Sequence, residues 1–303
     1  MSKFSTLLIL FVDSVAQGRW RGRIAQAAAS AGAAVIEHPA GAHYEPASNT
    51  VILTDDINWT MLIAPSDTAC FSDAALPVAS SARPSMVERS LIFEHSRRLV
   101  VAAHLQARGA LVFGPTNSIV DLPLIGKVHA EPPTMTAGVC SPSPLDMYRT
   151  IPPSVGAAAV WSGGLFAYPS KDQLDGGDPH VDLTGRSRAV VHGPYYYLTP
   201  GVWRSVTDFT IDPEGGEARL RIEWGTAPEM TAQSLTLTSP GRYRLELDHT
   251  WQDSGAAQLV VWTERPLFQG KFYIEACHVT CLSQLQTDGH DEFNSPRSCI
   301  SGS

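Results

Sequence analysis

Two groups of residues in this chain have types and spacings that chemistry can use. The first is aromatic. Tyr195, Tyr196 and Tyr197 stand in a row within GPYYYLTPGVW, and Trp251 closes the later run GRYRLELDHTW, which also carries Arg244 and Asp248. A ring face can cover the C–H surface of a sugar, while carboxylate and guanidinium groups fix its hydroxyls. These six residues therefore predict a carbohydrate-binding surface, with Trp262 as a further ring. Side chains alternate across a strand, so three consecutive tyrosines cannot all face a core. If Tyr195 and Tyr197 point inward, Tyr196 is the wet ring; the reverse phase exposes the outer pair.

The second group is charged. Asp13 and then Arg19, Arg21 and Arg23 follow a short apolar strand-like run, TLLILFV. In an α/β fold ligands gather past strand ends, and a helix N-terminus with arginines can hold an anion. This gives a candidate anion site at Arg19, Arg21 and Arg23, with Asp121 past a later strand as a second polar group for the same crevice. No G-x-G-x-x-G, G-x-x-x-x-G-K-S/T or G-x-S-x-G occurs, so no dinucleotide or other cofactor is expected and no catalytic residues are assigned. CHVTC places Cys277 and Cys281 on one face of a strand with His278 between them; three candidates do not make four converging ligands, so no metal is expected. Asp172, Asp175, Asp178 and Asp182 crowd a Gly-bearing loop, but their spacing is not that of an EF-hand.

The elements that must position these groups change character along the chain. Residues 1–130 alternate strand and helix patterns. RWRGRIAQAAASAG has a helical stripe of Ile24, Ala27, Ala28 and Ala31 that stops at Gly32. The longest helical pattern follows Pro84, with Val87, Leu91, Leu99, Ala102 and Leu105 as its stripe and Ile92 beside it. Residues 131–177 are proline-dense and read as a connector, in which AAAVWS can form an edge strand. From residue 178 to 282 seven strand-like runs follow at spacings of about ten residues, and 283–303 form a polar tail. The fold class expected is α+β in two domains: a small α/β layer domain, then an antiparallel β-sandwich of jelly-roll type. In EARLRIEW, Ala218, Leu220, Ile222 and Trp224 share the core face; in YRLELDHTW, Tyr243, Leu245, Leu247, His249 and Trp251 do.

One phrase occurs twice. A Leu-Thr pair leads into Pro200-Gly201 and again into Pro240-Gly241, each followed by an aromatic residue and Arg. Pro sets a turn dihedral and Gly accepts a positive φ, so the repetition predicts equivalent strands in two packed sheets. Gly193, Pro194, Tyr195, Pro200, Gly201 and Trp203 resemble the jelly-roll modules found beside bacterial polysaccharide glycosyltransferases, which carry G-P-Y and then L-P-x-G-x-Y/W. The resemblance covers residues 178–281. It implies a carbohydrate-associated accessory or binding protein, linked to polysaccharide synthesis or modification, with a glycan and an assembly protein as partners. An enzyme acting on a saccharide or nucleotide-sugar at the α/β strand ends, a transferase or hydrolase, is the alternative. A structural or assembly subunit is the third reading.

Composition narrows the partners. The chain has 303 residues and a formal net charge of -8, with 22 Lys and Arg, eighteen of them Arg. An acidic chain of this kind lacks the basic face that nucleic acid requires. The five cysteines are odd in number and scattered, unlike a disulfide scaffold. No run reaches the 18 apolar residues of a membrane span. The N-terminal run is read as a first strand of a cytoplasmic protein, with a short export signal as the runner-up.

Overall fold

The computed structural model describes residues 6–37, 48–72, 84–131, 143–169 and 180–285. Asp172, Asp175 and Asp178 lie outside the described residues. Asp182 lies within them, and its Oδ1 accepts the Thr184 amide at 2.8 Å.

The first layer is a parallel sheet. Strand β1 (Thr6–Phe11) leads into helix α1 (Ser14–Ser30), then β2 (Ala34–Glu37), β3 (Thr50–Thr54), β4 (Thr68–Phe71), helix α2 (Met86–Ala107) and β5 (Leu111–Phe113). The sheet order is β2-β3-β1-β4-β5, with every pair parallel. β1 is buried on both sides, as a central parallel strand should be. Leu7, Ile9 and Phe11 meet Trp20, Ile24 and Ala28 of α1. Leu10 belongs with Ile92 and Leu99 of α2 on the other side. A hairpin, β6 (Ile119–Leu122) with β7 (Gly126–His129), adds Val120, Leu122 and Val128 to the α1 side.

Both helices correct the expected stripes. In α1, Ala16, Trp20, Ile24 and Ala28 are buried, at intervals of four, while Ala31 is exposed and caps the helix. In α2, Val87 and Leu91 are exposed, and burial falls on Ile92, Ser96, Leu99, Val100, Ala102, Ala103 and Leu105. The reason is that α2 touches the parallel sheet on one side and a sandwich strand on the other, so no single stripe describes it.

The rest is β. After β8 (Ala158–Ser162) and the two-residue β9 (Val181–Asp182) come β10 (Arg188–Leu198), β11 (Gly201–Asp212), β12 (Ala218–Thr226) and β13 (Glu229–Leu237). β14 (Gly241–Trp251), β15 (Gly255–Thr263) and β16 (Lys271–Gln284) complete the chain. The seven runs read from sequence are β10 to β16. They form two antiparallel sheets, ordered β10-β15-β12-β13 and β14-β11-β16-β8. With β8 counted as first strand and β9 set aside, this is the second-seventh-fourth-fifth and sixth-third-eighth-first order of a jelly roll. Ala218, Leu220, Ile222 and Trp224 are all buried, and Leu245, Leu247 and Trp251 face the same core.

The repeated phrase has a different cause from the one expected. β11 and β14 are not in opposed sheets; they are antiparallel neighbours, Gly201 opposite Trp251 and Gly241 opposite Ile211. Only the first glycine needs its special backbone. Gly201 has φ 153°, and a Cβ there would lie 2.3 Å from the Ser283 carbonyl oxygen. Gly241 does not have a positive φ.

One packed core runs from Leu10 and Cys70 through α2 to Trp161, Trp203 and Trp224 of the sandwich. The junction is hydrogen-bonded as well as apolar. Ser96 of α2 accepts the Tyr197 amide at 3.0 Å, and the Tyr148 hydroxyl donates to the Tyr197 carbonyl at 2.7 Å. Both main-chain groups of Tyr197 on the outermost strand β10 are thus satisfied by side chains from elsewhere.

Candidate functional site

The tyrosine row adopts the reverse phase. β10 has an irregularity in its pairing with β15 between Pro194 and Tyr196, and Tyr195 sits there with φ 71°. The bulge sets Tyr196 inward, at 1% exposure, edge-on to Trp161 with centroids 5.6 Å apart. Tyr196 is therefore corrected from a wet ring to a core residue, and its hydroxyl finds no hydrogen-bond partner among the described residues. Tyr197 points out but is half-buried beneath α2, 5.6 Å from the Phe93 ring with the Arg97 guanidinium 5.9 Å over it. Tyr195 is 37% exposed. Trp251, expected in the binding surface, is 3% exposed and donates its indole N–H to Thr226 at 2.8 Å. Strand alternation already put it with Leu245 and Leu247.

Arg244 and Asp248 are exposed, but they stand on the other sheet from Tyr195. On the outer side of β14 and β11, Arg244 holds Asp208 through Nε and Nη2 at 2.7 and 2.9 Å, and Arg204 holds Asp248 likewise at 2.7 and 2.8 Å. Glu246 adds a second acid to Arg204 at 2.8 Å, Arg242 pairs with Glu275, and His278 lies 3.7 Å from Asp208. Hydrogen bonds from Arg244 hold the Asp208 carboxyl below its ordinary range, and Arg204 does the same to Asp248. Asp208 is covered by side chains that themselves stand in water, so the pair is a screened surface pair despite its low exposure. The six residues expected to form one surface are thus split between two sheets and the core. His278 faces outward while Cys277 and Cys281 face the core, which separates the CHVTC side chains.

The outer face that carries Tyr195 holds a second partly exposed ring. Along β15, Leu259, Val261 and Thr263 point inward, so Trp262 points outward. Its register partners are Ala189 on β10 and Arg221 on β12. The Trp262 indole N–H donates to Glu223 Oε2 at 2.8 Å, Arg221 bonds the other oxygen of Glu223, and the Arg221 guanidinium lies 6.0 Å over the indole ring. One row along, His192 stands opposite Val260, itself opposite Glu223. Tyr195 Oη lies 2.8 Å from His192 Nδ1. Partial burial raises the Tyr195 hydroxyl and lowers the His192 imidazole from their ordinary values, so both are neutral at pH 7. His192 and Trp262 are diagonal cross-strand neighbours, about 7–8 Å apart by sheet geometry. Strand alternation pointed to Trp262; His192, Arg221 and Glu223 needed the register, which no local pattern supplies.

The strand ends of the parallel sheet are tied up internally. Asp13 caps α1, accepting the Ala16 amide at 2.7 Å, and its other oxygen lies 3.3 Å from Ser72 Oγ at the end of β4. Arg19 donates to the carbonyls of Glu131, Pro115 and Asn117; Arg21 pairs with Glu37; Arg23 reaches Glu131. The three arginines thus meet carbonyl and carboxylate acceptors of the protein. Asp121 stands exposed on β6 opposite Lys127.

The sequence matches no family profile and no curated protein. Loose likenesses appear among solved structures. The CBM22-1 xylan-binding domain of Paenibacillus barcinonensis Xyn10C aligns at 11% identity over 44% of this chain and 99% of that one, with TM-score 0.30. The CBM36-1 domain of a multidomain xylanase from the hindgut metagenome of Trinervitermes trinervoides aligns at 11% over 40% and 95%, with TM-score 0.28. TmCBM61, solved with β-1,4-galactotriose, aligns at 14% over 41% and 82%, with TM-score 0.25. At these scores the sandwich is defined by its own strands and register. Among the described residues, no helix is long and apolar enough to cross a membrane.

Proposed function

We propose that this chain binds a glycan on the outer face of the β10-β15-β12-β13 sheet. Trp262 and Tyr195 are the stacking rings, and the hydroxyl partners are Glu223, Arg221, His192 and Gln258, which stands on β15 opposite Pro194. The observation that carries this reading is the pairing of two partly exposed rings, each with its polar tip held by a neighbour, on one sheet face among acid, base and amide groups. Sugar hydroxyls donate and accept, so neighbouring Glu and Arg suit them together. Held tips leave less side-chain entropy to lose on binding. Glycan-array screening followed by NMR titration tests it. Neutral oligosaccharides should shift the Trp262 indole resonance and the backbone amides of β15, and Trp262→Ala should weaken the binding read from those amides by roughly 1–3 kcal/mol. A glycan that binds equally well without Trp262 and Tyr195 would overturn the assignment.

The finer setting is an accessory protein of two domains, working with a protein partner in bacterial polysaccharide synthesis. Helix composition giving way to strand composition supports the division. The Gly193-Pro194-Tyr195 motif supports the setting, because it supplies one ring of the platform.

A further inference from the structure

A second site lies away from the glycan face. A cleft of about 650 Å³ opens between the segment after β3 (residues 57–65), the C-terminal half of α2, and the sandwich at Tyr197 and Ser254. That volume is in the range of small-molecule sites. Its chemistry is uneven in two ways. Arg97 and His104 line it from one face of α2, seven residues apart, and Arg108 follows at the C-cap of the helix. None of the described residues lining it is acidic, in a chain whose net charge is -8. Arg97 also bonds Glu94 at 3.2 Å, outside the lining, which fixes its guanidinium at the edge of the cleft. The opposite wall is mostly apolar, with Asn58 and Thr60 as its polar groups. Met61 and Leu62 are adjacent, 64% and 65% exposed, and the floor is Val100, Val101 and Leu105. Two neighbouring large apolar side chains left in water beside a concave apolar floor are a feature that burial by a ligand would relieve.

We infer that this cleft binds a small amphipathic anion, a carboxylate or phosphate monoester carried on a hydrocarbon body. The head group sits at the Arg97 guanidinium, and the apolar body lies along Leu62, Val101 and Tyr197. Neither half suffices alone: inorganic phosphate lacks the body, and an alcohol lacks the charge.

Calorimetry on the full chain tests this with dodecanoate, decyl phosphate, decanol, decyltrimethylammonium and inorganic phosphate. Dodecanoate and decyl phosphate should each bind saturably at one site, and the other three should bind at least about tenfold more weakly. Arg97→Gln should weaken both anions about tenfold or more, as loss of charge-assisted hydrogen bonds does. Leu62→Asp, at an exposed position where the fold is not at stake, should do the same by repulsion and lost burial. Trp262→Ala should leave anion binding unchanged, which separates this site from the glycan face. Equal affinity for decanol and dodecanoate, equal affinity for phosphate and decyl phosphate, or indifference to Arg97→Gln while the circular dichroism melt is unchanged would each overturn the inference.

Discussion

The two outer faces of the sandwich differ in what their polar groups are for. On the β14-β11-β16-β8 side, carboxylates and guanidinium groups meet each other: Arg204 with Asp248 and Glu246, Arg244 with Asp208, Arg242 with Glu275. On the β10-β15-β12-β13 side, Glu223 meets the Trp262 indole as well as Arg221, and His192 meets the Tyr195 hydroxyl. The first face is a closed ladder whose attractions are spent internally. The second holds apolar ring surface in place among groups that retain hydrogen-bonding capacity. Charge alone does not mark a recognition surface; the partners of the charges do.

The largest effect should come from the ring that belongs to neither face. Tyr196→Ala removes a core ring and should cost about 3–5 kcal/mol of unfolding free energy in urea titration. Tyr196→Phe deletes a hydroxyl that has no hydrogen-bond partner among the described residues, and should be neutral or stabilising by up to about 1 kcal/mol. A glycan-binding defect in the Phe variant would return Tyr196 to the binding surface.

Next comes the junction that covers Tyr197. Ser96→Ala leaves the Tyr197 amide unpaired and should cost about 1–3 kcal/mol. Hydrogen exchange at that amide should rise at the same time. Unchanged protection would show that another group takes the bond.

Trp262→Ala should lose roughly 1–3 kcal/mol of glycan affinity, by analogy with base stacking on an aromatic side chain. Asp248→Asn, on the ladder, should leave affinity untouched. The opposite pattern would exchange the roles of the two faces.

The smallest effect is electrostatic. Arg204→Gln with Arg244→Gln should lower stability at pH 7 only slightly, because both guanidinium groups stand in water and their attractions are screened. The sign of its pH dependence is fixed. Asp208 and Asp248 are held below the ordinary carboxylate range, so the ladder stabilises above about pH 4 and this contribution fades as pH falls through the folded values. Urea midpoints taken from pH 7 to pH 3 should therefore converge for wild type and double variant at the acid end.

Much of the fold could be read from local pattern. Alternation in EARLRIEW and YRLELDHTW placed Leu220, Trp224 and Leu245 correctly, because a half-buried strand writes its two faces at period two. Gly32 marked the end of α1 through its positive φ of 72°. The stripe on α2 held at Ile92, Leu99, Ala102 and Leu105 and missed at Val87 and Leu91; it left out Ser96, Val100 and Ala103 because a helix covered on two sides has no single apolar face. The site was legible only in part. Tyr195 and Trp262 announce themselves as rings, but the phase of the tyrosine row turned on a bulge at Tyr195, a non-glycine residue at φ 71° that local propensity does not foretell. The pairing of Arg244 with Asp208 rather than with a ligand followed from register between strands that are distant in sequence.

The way Tyr197 is tied down bears on how this chain can be engineered. Its amide and carbonyl are held by Ser96 and Tyr148, one from α2 and one from the segment before β8. A fragment beginning at residue 143 keeps Tyr148 but discards Ser96, and with it the cover over the rim of β10. Such a fragment carries a docking edge for a second copy of itself, so it should elute as a dimer or larger species. Supplying α2 in trans as a synthetic peptide should restore the monomer. The helix is in this sense a built-in plug, and a fusion that borrows the sandwich must borrow the plug with it.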